Sequence, residues 1–175
     1  RERIYVVHRL DREVAGLLIF AKSIGVQEQL KENWKSVVKL YYALVEKAPK
    51  IPEGVVESWL HEHPKSLKVY SGAKSPDAKF AVTNYRLVKE VAPYFLLEIK
   101  LDTGRKNQIR VHLSDMGCPI VGDYRYGASS NIKRQIRLFA YYLQFPHPTT
   151  GKIVEVEATL PKTFLHPDNQ DENYK

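Results

Sequence analysis

The sequence predicts an α+β fold built on a mixed, mainly antiparallel β-sheet with flanking helices. Short runs rich in β-branched and aromatic residues recur along the chain, and several of them are joined as hairpins. Helical periodicity is confined to two segments. With 175 residues, 43% of them hydrophobic, the chain is long enough to form one domain with its own core. We expect this domain to span residues 1–165, followed by a polar tail at 166–175.

The strands are predicted wherever apolar or alternating runs are bounded by turn residues. They lie in two apolar runs at the start of the chain, 4–7 and 16–21, and then at 37–45, 55–60, 67–70, 80–91, 94–101, 138–145 and 153–160. Side chains alternate between the two faces of a strand, so the adjacent Tyr41 and Tyr42 must face opposite sides of the sheet.

Two helices complete the prediction. The first follows Ser23, a suitable N-cap, and carries its apolar stripe at fourth-residue spacing, on Val26, Leu30 and Trp34. The second follows Thr103, its expected cap, and ends at Gly117, which suits a left-handed residue after a helix. Its predicted buried positions are Ile109, Leu113 and Met116.

Composition narrows the possible functions. A net charge of +7 favours a polyanionic partner, because Lys and Arg gain affinity by releasing counterions from phosphates, although many basic proteins bind no such partner. The single cysteine, Cys118, excludes an internal disulfide framework and a cysteine-rich zinc site, and it fits a protein of the reducing cytoplasm. No run has the length of a membrane span, and the first residues lack the pattern of a signal peptide.

A polar segment between the first two predicted strands is the leading candidate for chemistry. It places Asp11 between Arg9 and Arg12, two cations that favour an ionised carboxylate. Functional side chains concentrate in such connections between rigid strands. Taken alone, however, a cluster of Asp and Arg is more often a surface turn with a solvated ion pair.

Two further clusters invite functional interpretations. Arg105, Lys106 and Arg110 lie near the start of the second helix, where backbone N–H groups favour anions, but a solvated basic face explains them equally well. The same ambiguity holds for the basic stretch 129–137. The segment His-Glu-His at 61–63 has no further His or Cys pair at a ligand-like spacing, which argues against a metal site.

Several segments, in order, match motifs of one family. They are His-Arg-Leu-Asp at 8–11, Lys-Leu-Tyr-Tyr-Ala-Leu-Val at 39–45, Thr-Gly-Arg at 103–105, Gln-Ile-Arg-Val-His at 108–112, Gly-Asp at 122–123 and Tyr-Gly at 126–127. Together they resemble the motifs of the RluA-type pseudouridine synthases, whose catalytic fold the chain is therefore expected to share. This resemblance implies isomerisation of specific uridines in RNA, either ribosomal or transfer RNA, to pseudouridine.

The resemblance also implies roles for individual residues. Asp11 corresponds to the essential aspartate, acting as a nucleophile or in proton removal from the ribose, and Arg110 would pair with it. Tyr41 corresponds to the active-site tyrosine that stacks on the base and could remove its C5 proton. An ordinary phenol, with a pKa near ~10, is a poor base at neutral pH, so stacking is the safer assignment.

The remaining implied contacts are to the RNA. Arg9 resembles the arginine that fills the gap left by the flipped nucleotide, since flipping costs a few kcal/mol and needs a wedge. Lys106, Arg105 and His8 are assigned to RNA binding, and Arg12 to a surface charge. The chemistry requires neither metal nor organic cofactor, and we expect a cytoplasmic monomer.

The chain departs from the family pattern at three places near the expected site. The usual Thr-Ser after the aspartate motif is Val14-Ala15, the usual His before Gln-Ile-Arg is Asn107, and the usual His-Ala near the last hairpin is Phe139-Ala140. A strand and a Lys-Pro segment that precede the aspartate motif in the family are also missing, which suggests a fragment. Two alternatives therefore stay open: a catalytically silent RNA-binding relative, and a carboxylate-based glycosidase or nuclease, although no second carboxylate partner is evident in the motif.

Overall fold

In the computed structural model of the chain, residues 3–130 and 135–166 are described. The strands and helices in these ranges are β1 (Tyr5–Val6), β2 (Ala15–Gly16), β3 (Phe20–Ala21), α1 (Ile24–Glu32), β4 (Val38–Val45), β5 (Glu53–Glu62), β6 (Val69–Gly72), β7 (Lys79–Val91), β8 (Tyr94–Leu101), α2 (Gln108–Asp115), β9 (Leu138–Pro146) and β10 (Ile153–Glu157). Short 3₁₀ turns lie at Trp34–Ser36, Tyr124–Tyr126 and Lys162–Phe164. The predicted polar tail from residue 167 onward, and residues 131–134 of the basic stretch, lie outside the described residues.

One large sheet organises the fold. Its strands pair antiparallel in the order β10, β9, β4, β8, β7, β5 and β6, and β2 joins the sheet by a parallel pairing with β9. β1 and β3 form a separate two-stranded antiparallel sheet. With α1 and α2 added, this architecture confirms the predicted α+β fold with a mixed, mainly antiparallel sheet. Neither helix of the described ranges has the length and apolar character needed to cross a bilayer.

Strand β4 lies inside the large sheet and supplies side chains to the cores on both of its faces. Tyr41, Ala43 and Val45 point toward α2 and pack with Ile109 and Leu113. The alternate side chains, among them Tyr42 and Leu44, pack on the opposite face. The predicted separation of Tyr41 from Tyr42 is therefore confirmed, and Tyr42 stacks there on Tyr141, with ring centroids 4.0 Å apart.

The start of the chain is less regular than predicted. Only two-residue strands form in the opening apolar runs, and a loop carrying Asp11 connects β1 to β2. Ser23 caps α1 as expected, accepting a hydrogen bond from the Val26 N–H at 3.3 Å. Trp34 lies beyond the end of α1 in a 3₁₀ turn, because the helix ends at the Asn33 C-cap.

Helix α2 begins later than predicted. Its N-cap is Asn107, in the left-handed conformation at φ 53° and ψ 18°, and not Thr103. The hydroxyl of Thr103 is engaged elsewhere: it accepts a hydrogen bond from the Val82 N–H and donates one to Gln108 Oε1. The residues between Thr103 and α2 therefore form a loop attached to β7. Gly117 adopts the expected left-handed conformation after the helix, at φ 75°.

Buried polar contacts fix α2 to the sheet. Gln108 Nε2 donates to the Val82 carbonyl and to Thr83 Oγ1, each at 2.9 Å. The ring of His112 lies between Thr83 Oγ1 at 2.8 Å and Ser58 Oγ at 2.9 Å. Burial lowers the pKa of His112, which favours the neutral ring. These contacts fix the first turn of α2, which carries Arg110, against the sheet.

A close backbone approach anchors the loop that carries Asp11. Gly16 has φ 128°, and a Cβ at this position would lie 2.3 Å from the Ala140 carbonyl oxygen. Leu17 N–H donates to that same oxygen at 2.8 Å. Only glycine satisfies both the conformation and the spacing, so the parallel pairing of β2 with β9 depends on Gly16.

We predict that Gly16→Ala lowers the free energy of unfolding by roughly 2 kcal/mol or more, because it combines an unfavourable φ with a backbone clash. Urea denaturation measures the loss. Gly25→Ala in α1 is the matched control: a Cβ added there would have no heavy atom within 4 Å, and alanine favours a helix by about 0.5–1 kcal/mol. Equal stability of the two variants would contradict the anchoring role.

Candidate active site

A cavity of about 370 Å³, here called the cleft, lies between β4, the start of α2 and the loop from β1 to β2. The seven site residues predicted from the sequence all line it: Asp11, Tyr41, Arg110, Arg9, Arg105, Lys106 and His8. Three features of the fold bring them together. β4 carries Tyr41, and α2 packs over β4. β2 pairs with β9 beside β4, which places the Asp11 loop at the same opening.

Arg110 is buried and is held by a partner that the motifs did not assign to it. Its Nε donates to Asp123 Oδ2 at 2.7 Å and its Nη2 to Asp123 Oδ1 at 2.8 Å, a bidentate ion pair. The third nitrogen, Nη1, faces Glu13 Oε2 at 3.2 Å and Asp11 Oδ2 at 3.9 Å. Burial opposes the charge on Arg110, but the bonds to Asp123 outweigh it and raise the pKa of the guanidinium.

The expected pairing with Asp11 is therefore the longest of the three contacts that Arg110 makes with carboxylates. Asp123 belongs to the Gly-Asp motif already noted in the sequence, and that motif was the available signal. The sequence does not show that Asp123 lies beside Arg110, because the two residues meet only after the chain turns back from the end of α2.

Asp11 is partly exposed, with 23% of its side chain accessible. Burial raises the pKa of its carboxyl above the ordinary value, and the positive charge of Arg110 opposes that shift. Glu13 adds a further increase, and Arg9 a smaller decrease. Arg9 and Arg110 both lower the pKa of Asp11, and Arg12 is not among the groups that shift it; burial outweighs the two arginines, so the carboxylate is more basic than one in water.

Asn107 contributes a hydrogen bond to Asp11. One end of its buried amide lies 2.8 Å from Asp11 Oδ2 and 3.3 Å from Oδ1, and the other lies 2.9 Å from the Tyr126 hydroxyl. Because a carboxylate only accepts hydrogen bonds, the short contact to Asp11 requires the NH₂ group at this end, and it outweighs the longer contact of 3.5 Å from the same end to the donor Arg110 Nη1. The side chain that departs from the family pattern thus contacts the carboxylate directly.

Tyr41 lies at the floor of the cleft and is 9% exposed. Burial, followed by the negative charge of Asp11, raises the pKa of its phenol to about 12. Tyr41 is therefore protonated at neutral pH. Its ring is available for stacking, and its ionised form is suppressed.

His8 forms part of a wall that also includes two residues not assigned to the site from the sequence. His8 Nε2 accepts the Ile19 N–H at 3.1 Å, and its ring stacks on Trp34 at 4.6 Å between centroids. Burial and the charge of Lys39 lower the pKa of His8 to about 4, so its ring is neutral near pH 7. Lys39 is only 8% exposed and lies over Trp34 at 5.6 Å. Lys39 sits in a motif quoted above, whereas Trp34 carried no functional signal.

The remaining cations form the rim of the cleft. Arg9, Arg105 and Lys106 are exposed, and Arg105 Nε donates to the Phe80 carbonyl at 2.9 Å. Lys106 pairs with Glu62 at the border of a second cavity of about 430 Å³, which shares residues 104–106 with the cleft. Arg12 is exposed, as expected for a surface charge.

The His-Glu-His segment is engaged in local structure. His61 Nε2 lies 2.8 Å from the Ala73 carbonyl, and its ring stacks on Tyr70. His63 Nδ1 accepts backbone N–H groups of the following turn. His61 and Glu62 lie in β5, which extends two residues beyond the end of the strand predicted at 55–60. Across residues 3–130 and 135–166, no three His, Cys, Asp or Glu side chains form a group suited to a metal ion.

Comparison with known proteins gives a consistent result. A family model described as RNA pseudouridylate synthase matches residues 1–115. An uncharacterized RNA pseudouridine synthase of Chloroflexus aurantiacus is 40% identical over 89% of this chain and 50% of its own length. Ribosomal large subunit pseudouridine synthase D of Pasteurella multocida is 33% identical over 93% of this chain and 54% of its own. The chain thus spans about half the length of these curated relatives.

A solved structure agrees with the sequence relatives. Human RNA Pseudouridylate Synthase Domain Containing 4 superposes with a TM-score of 0.79 at 26% identity, covering 94% of this chain and 74% of that one. The likeness therefore extends over nearly the whole of this chain.

We predict that Asp123→Asn lowers the free energy of unfolding by about 3–5 kcal/mol, because it leaves the charge of Arg110 buried with an amide N–H against its own N–H groups. Glu62→Gln is the control. It breaks the half-exposed pair with Lys106, where we expect a loss of about 1 kcal/mol or less. Chemical denaturation measures both losses. Similar losses for the two variants would show that the buried pair with Asp123 stabilises the fold no more than an exposed ion pair.

Proposed function

The chain belongs to the RNA pseudouridylate synthase family, and on that premise we propose that it isomerises specific uridines in RNA to pseudouridine. The observation that carries the proposal is the convergence of Asp11, Tyr41 and Arg110 on one cleft. These side chains come from a loop, a central strand and a helix, and they match the family motifs residue by residue.

The proposed reaction breaks the bond between uracil N1 and ribose C1′ and forms a bond between C5 and C1′. The proton on C5 is lost and N1 gains one, so substrate and product have the same composition. No electron acceptor or added group is needed, which is why we propose that the chain uses no cofactor. The protein must supply a carboxylate, a surface that holds the detached base, and protection from water.

Asp11 supplies the carboxylate. Its side chain is accessible from the cleft, and partial burial makes it more basic than an exposed aspartate. That property serves attack on a carbon atom and removal of a ribose proton alike. Arg110 and Asn107 hold the group in place and favour its charged form.

Tyr41 holds the base. Its phenol is neutral at physiological pH because its pKa is about 12, so we assign it to stacking rather than to proton removal from C5. A rigid aromatic floor can support the uracil ring while it is detached from C1′ and turned. The C5 proton must then be accepted by a group other than Tyr41. Asp11 lies near enough to Tyr41 for its negative charge to raise the pKa of the phenol.

The rim cations bind the RNA. Arg9 is exposed at the mouth of the cleft and can occupy the gap left by a flipped uridine, while Arg105 and Lys106 face the phosphates. His8 is neutral and hydrogen-bonded to the backbone, so we assign it to the wall of the cleft rather than to phosphate binding.

We propose ribosomal or transfer RNA as the substrate, because two observations agree: a basic chain of net charge +7, and relatives whose names include the large ribosomal subunit. A monomer acting in the cytoplasm is part of the same proposal. The lone Cys118 is buried, which fits a protein that forms no disulfide.

We predict that the wild-type chain introduces pseudouridine into RNA and that Asp11→Asn abolishes this, with a loss of roughly 10³-fold or more. Total cellular RNA lacking the modification is incubated with the protein, and pseudouridine is mapped by carbodiimide-dependent primer-extension stops. Asp115→Asn is the control, because Asp115 accepts a bond from Ser71 outside the cleft. RNA binding without any Asp11-dependent stop would replace the proposal with a silent RNA-binding protein.

We predict that Arg9→Ala lowers kcat/KM by roughly ten- to a hundredfold on a stem-loop RNA, because flipping a stacked base costs a few kcal/mol that the wedge offsets. On an RNA with the same uridine already unstacked, the loss should be small. Arg12→Ala is the matched control, a neighbouring exposed arginine. Equal losses for both variants on both RNAs would indicate general charge attraction instead of a wedge.

A further inference from the structure

Tyr126 is a buried tyrosine with no role in the proposed reaction, yet it contacts two of the side chains that face Asp11. It is 4% exposed and lies in the 3₁₀ turn Tyr124–Tyr126. Its hydroxyl is 2.9 Å from the Asn107 amide, and its ring lies 4.9 Å from the guanidinium carbon of Arg110. The Val69 N–H donates to the same hydroxyl at 3.1 Å.

We propose that Tyr126 is a positioning residue for Asp11, acting through the Asn107 amide. The inference rests on the proposed catalytic role of Asp11. Tyr126 is buried and lies outside the lining of the cleft, so the proposal places it behind Asn107 and not against the substrate.

The hydrogen bonds around the Tyr126 hydroxyl have defined directions. The hydroxyl accepts the Val69 N–H, so its own proton is free to point at Asn107. That proton selects the carbonyl end of the amide, which leaves the NH₂ end facing Asp11. Without the hydroxyl, the buried amide oxygen loses this donor, and the orientation that serves Asp11 becomes less favourable.

Asn107 in turn gives Asp11 a hydrogen-bond donor. The charged and titratable groups around the carboxylate are Arg9, Glu13, Arg110, Asp123 and Tyr41. Arg110 Nη1 is 3.9 Å away, which is too long for a hydrogen bond. Within residues 3–130 and 135–166, the donor found at hydrogen-bond distance from the Asp11 carboxylate is Asn107. An uncharged donor can orient the carboxylate without neutralising it.

The support behind the amide is buried and closely packed. Tyr126 packs with Leu60, Val69, Ala81 and Val111, so its ring is fixed by β5, β6, β7 and α2. Asn107 is fixed by its left-handed backbone at the start of α2, a conformation that asparagine tolerates better than most residues. A continuous set of hydrogen bonds therefore runs from the backbone of β6 to the Asp11 carboxylate.

Two variants separate this role from simple packing. Tyr126→Phe keeps the ring against Arg110 and removes only the hydroxyl. Asn107→Gly removes the amide while allowing the left-handed backbone. Tyr124→Phe is the matched control, because Tyr124 lies in the same turn and is 54% exposed.

The first measurement does not depend on activity. Carbon-13 NMR titration follows the Asp11 carboxyl, identified by its absence in Asp11→Asn. We expect Tyr126→Phe and Asn107→Gly each to raise the pKa of Asp11 by about half to one unit, since the charged form loses a hydrogen-bond donor. The double variant should match Asn107→Gly alone, and Tyr124→Phe should match wild type.

The second measurement uses whichever RNA the wild-type chain modifies. Tyr126→Phe should lower kcat about three- to tenfold with KM unchanged, and it should move the acidic limb of the kcat–pH profile upward with the pKa of Asp11. A merely structural tyrosine would leave that limb in place. An unchanged pKa in Tyr126→Phe, or additive shifts in the double variant, would overturn the proposal.

The two proposals fail in different ways. If the wild-type chain modifies no RNA but the NMR shifts follow the expected pattern, the isomerase function is wrong and the positioning of Asp11 by Tyr126 stands. If RNA is modified and the pKa of Asp11 ignores Tyr126, the positioning role is wrong and the function stands.

Discussion

The buried ion pair between Arg110 and Asp123 is the interaction on which the cleft depends. Two nitrogens of the guanidinium are committed to Asp123, at 2.7 and 2.8 Å, so only Nη1 is directed toward the Asp11 loop. A charge at 5% side-chain exposure is tolerated only with such a partner. Asp123 therefore sets where the positive charge points, and Arg110 meets both Glu13 and Asp11 from a fixed position.

The electrostatics of Asp11 are a compromise between burial and charge. Burial raises its pKa, whereas Arg110 pulls it down, and Glu13 competes for the same guanidinium nitrogen. A shorter contact between Arg110 and Asp11 would favour the charged form more strongly but would also make the carboxylate a weaker base. The hydrogen bond from Asn107 orients the group without adding a charge. The arrangement thus holds the Asp11 carboxylate in place while its pKa stays above the ordinary value.

Much of the fold, and which residues line the cleft, could be predicted from the sequence, and the failures have physical causes. Alternation predicted the opposite faces of Tyr41 and Tyr42, because it is a local property of a strand. The sequence predicts Thr103 as the cap of α2. It cannot reveal that the Thr103 hydroxyl is hydrogen-bonded instead to the backbone of β7 and to Gln108. Asp123 and Trp34 reach the cleft region only through tertiary contacts. The motif resemblance brought Asp11 and Arg110 together without supplying the 3.9 Å between them.

Two of the departures from the expected family pattern lie side by side in the fold. Ala15 stands where the family usually has Ser, and Phe139 where it usually has His, and the two residues are register partners in the β2–β9 pairing. Both pack in the same apolar cluster, with Phe139 only 7% exposed. Gly16 in the same strand holds its backbone against Ala140, which anchors the Asp11 loop. The third departure, Asn107, supplies a hydrogen bond to the carboxylate itself. In this chain the Asp11 loop is therefore supported by apolar packing of β2, by a close backbone contact at Gly16 and by the Asn107 amide.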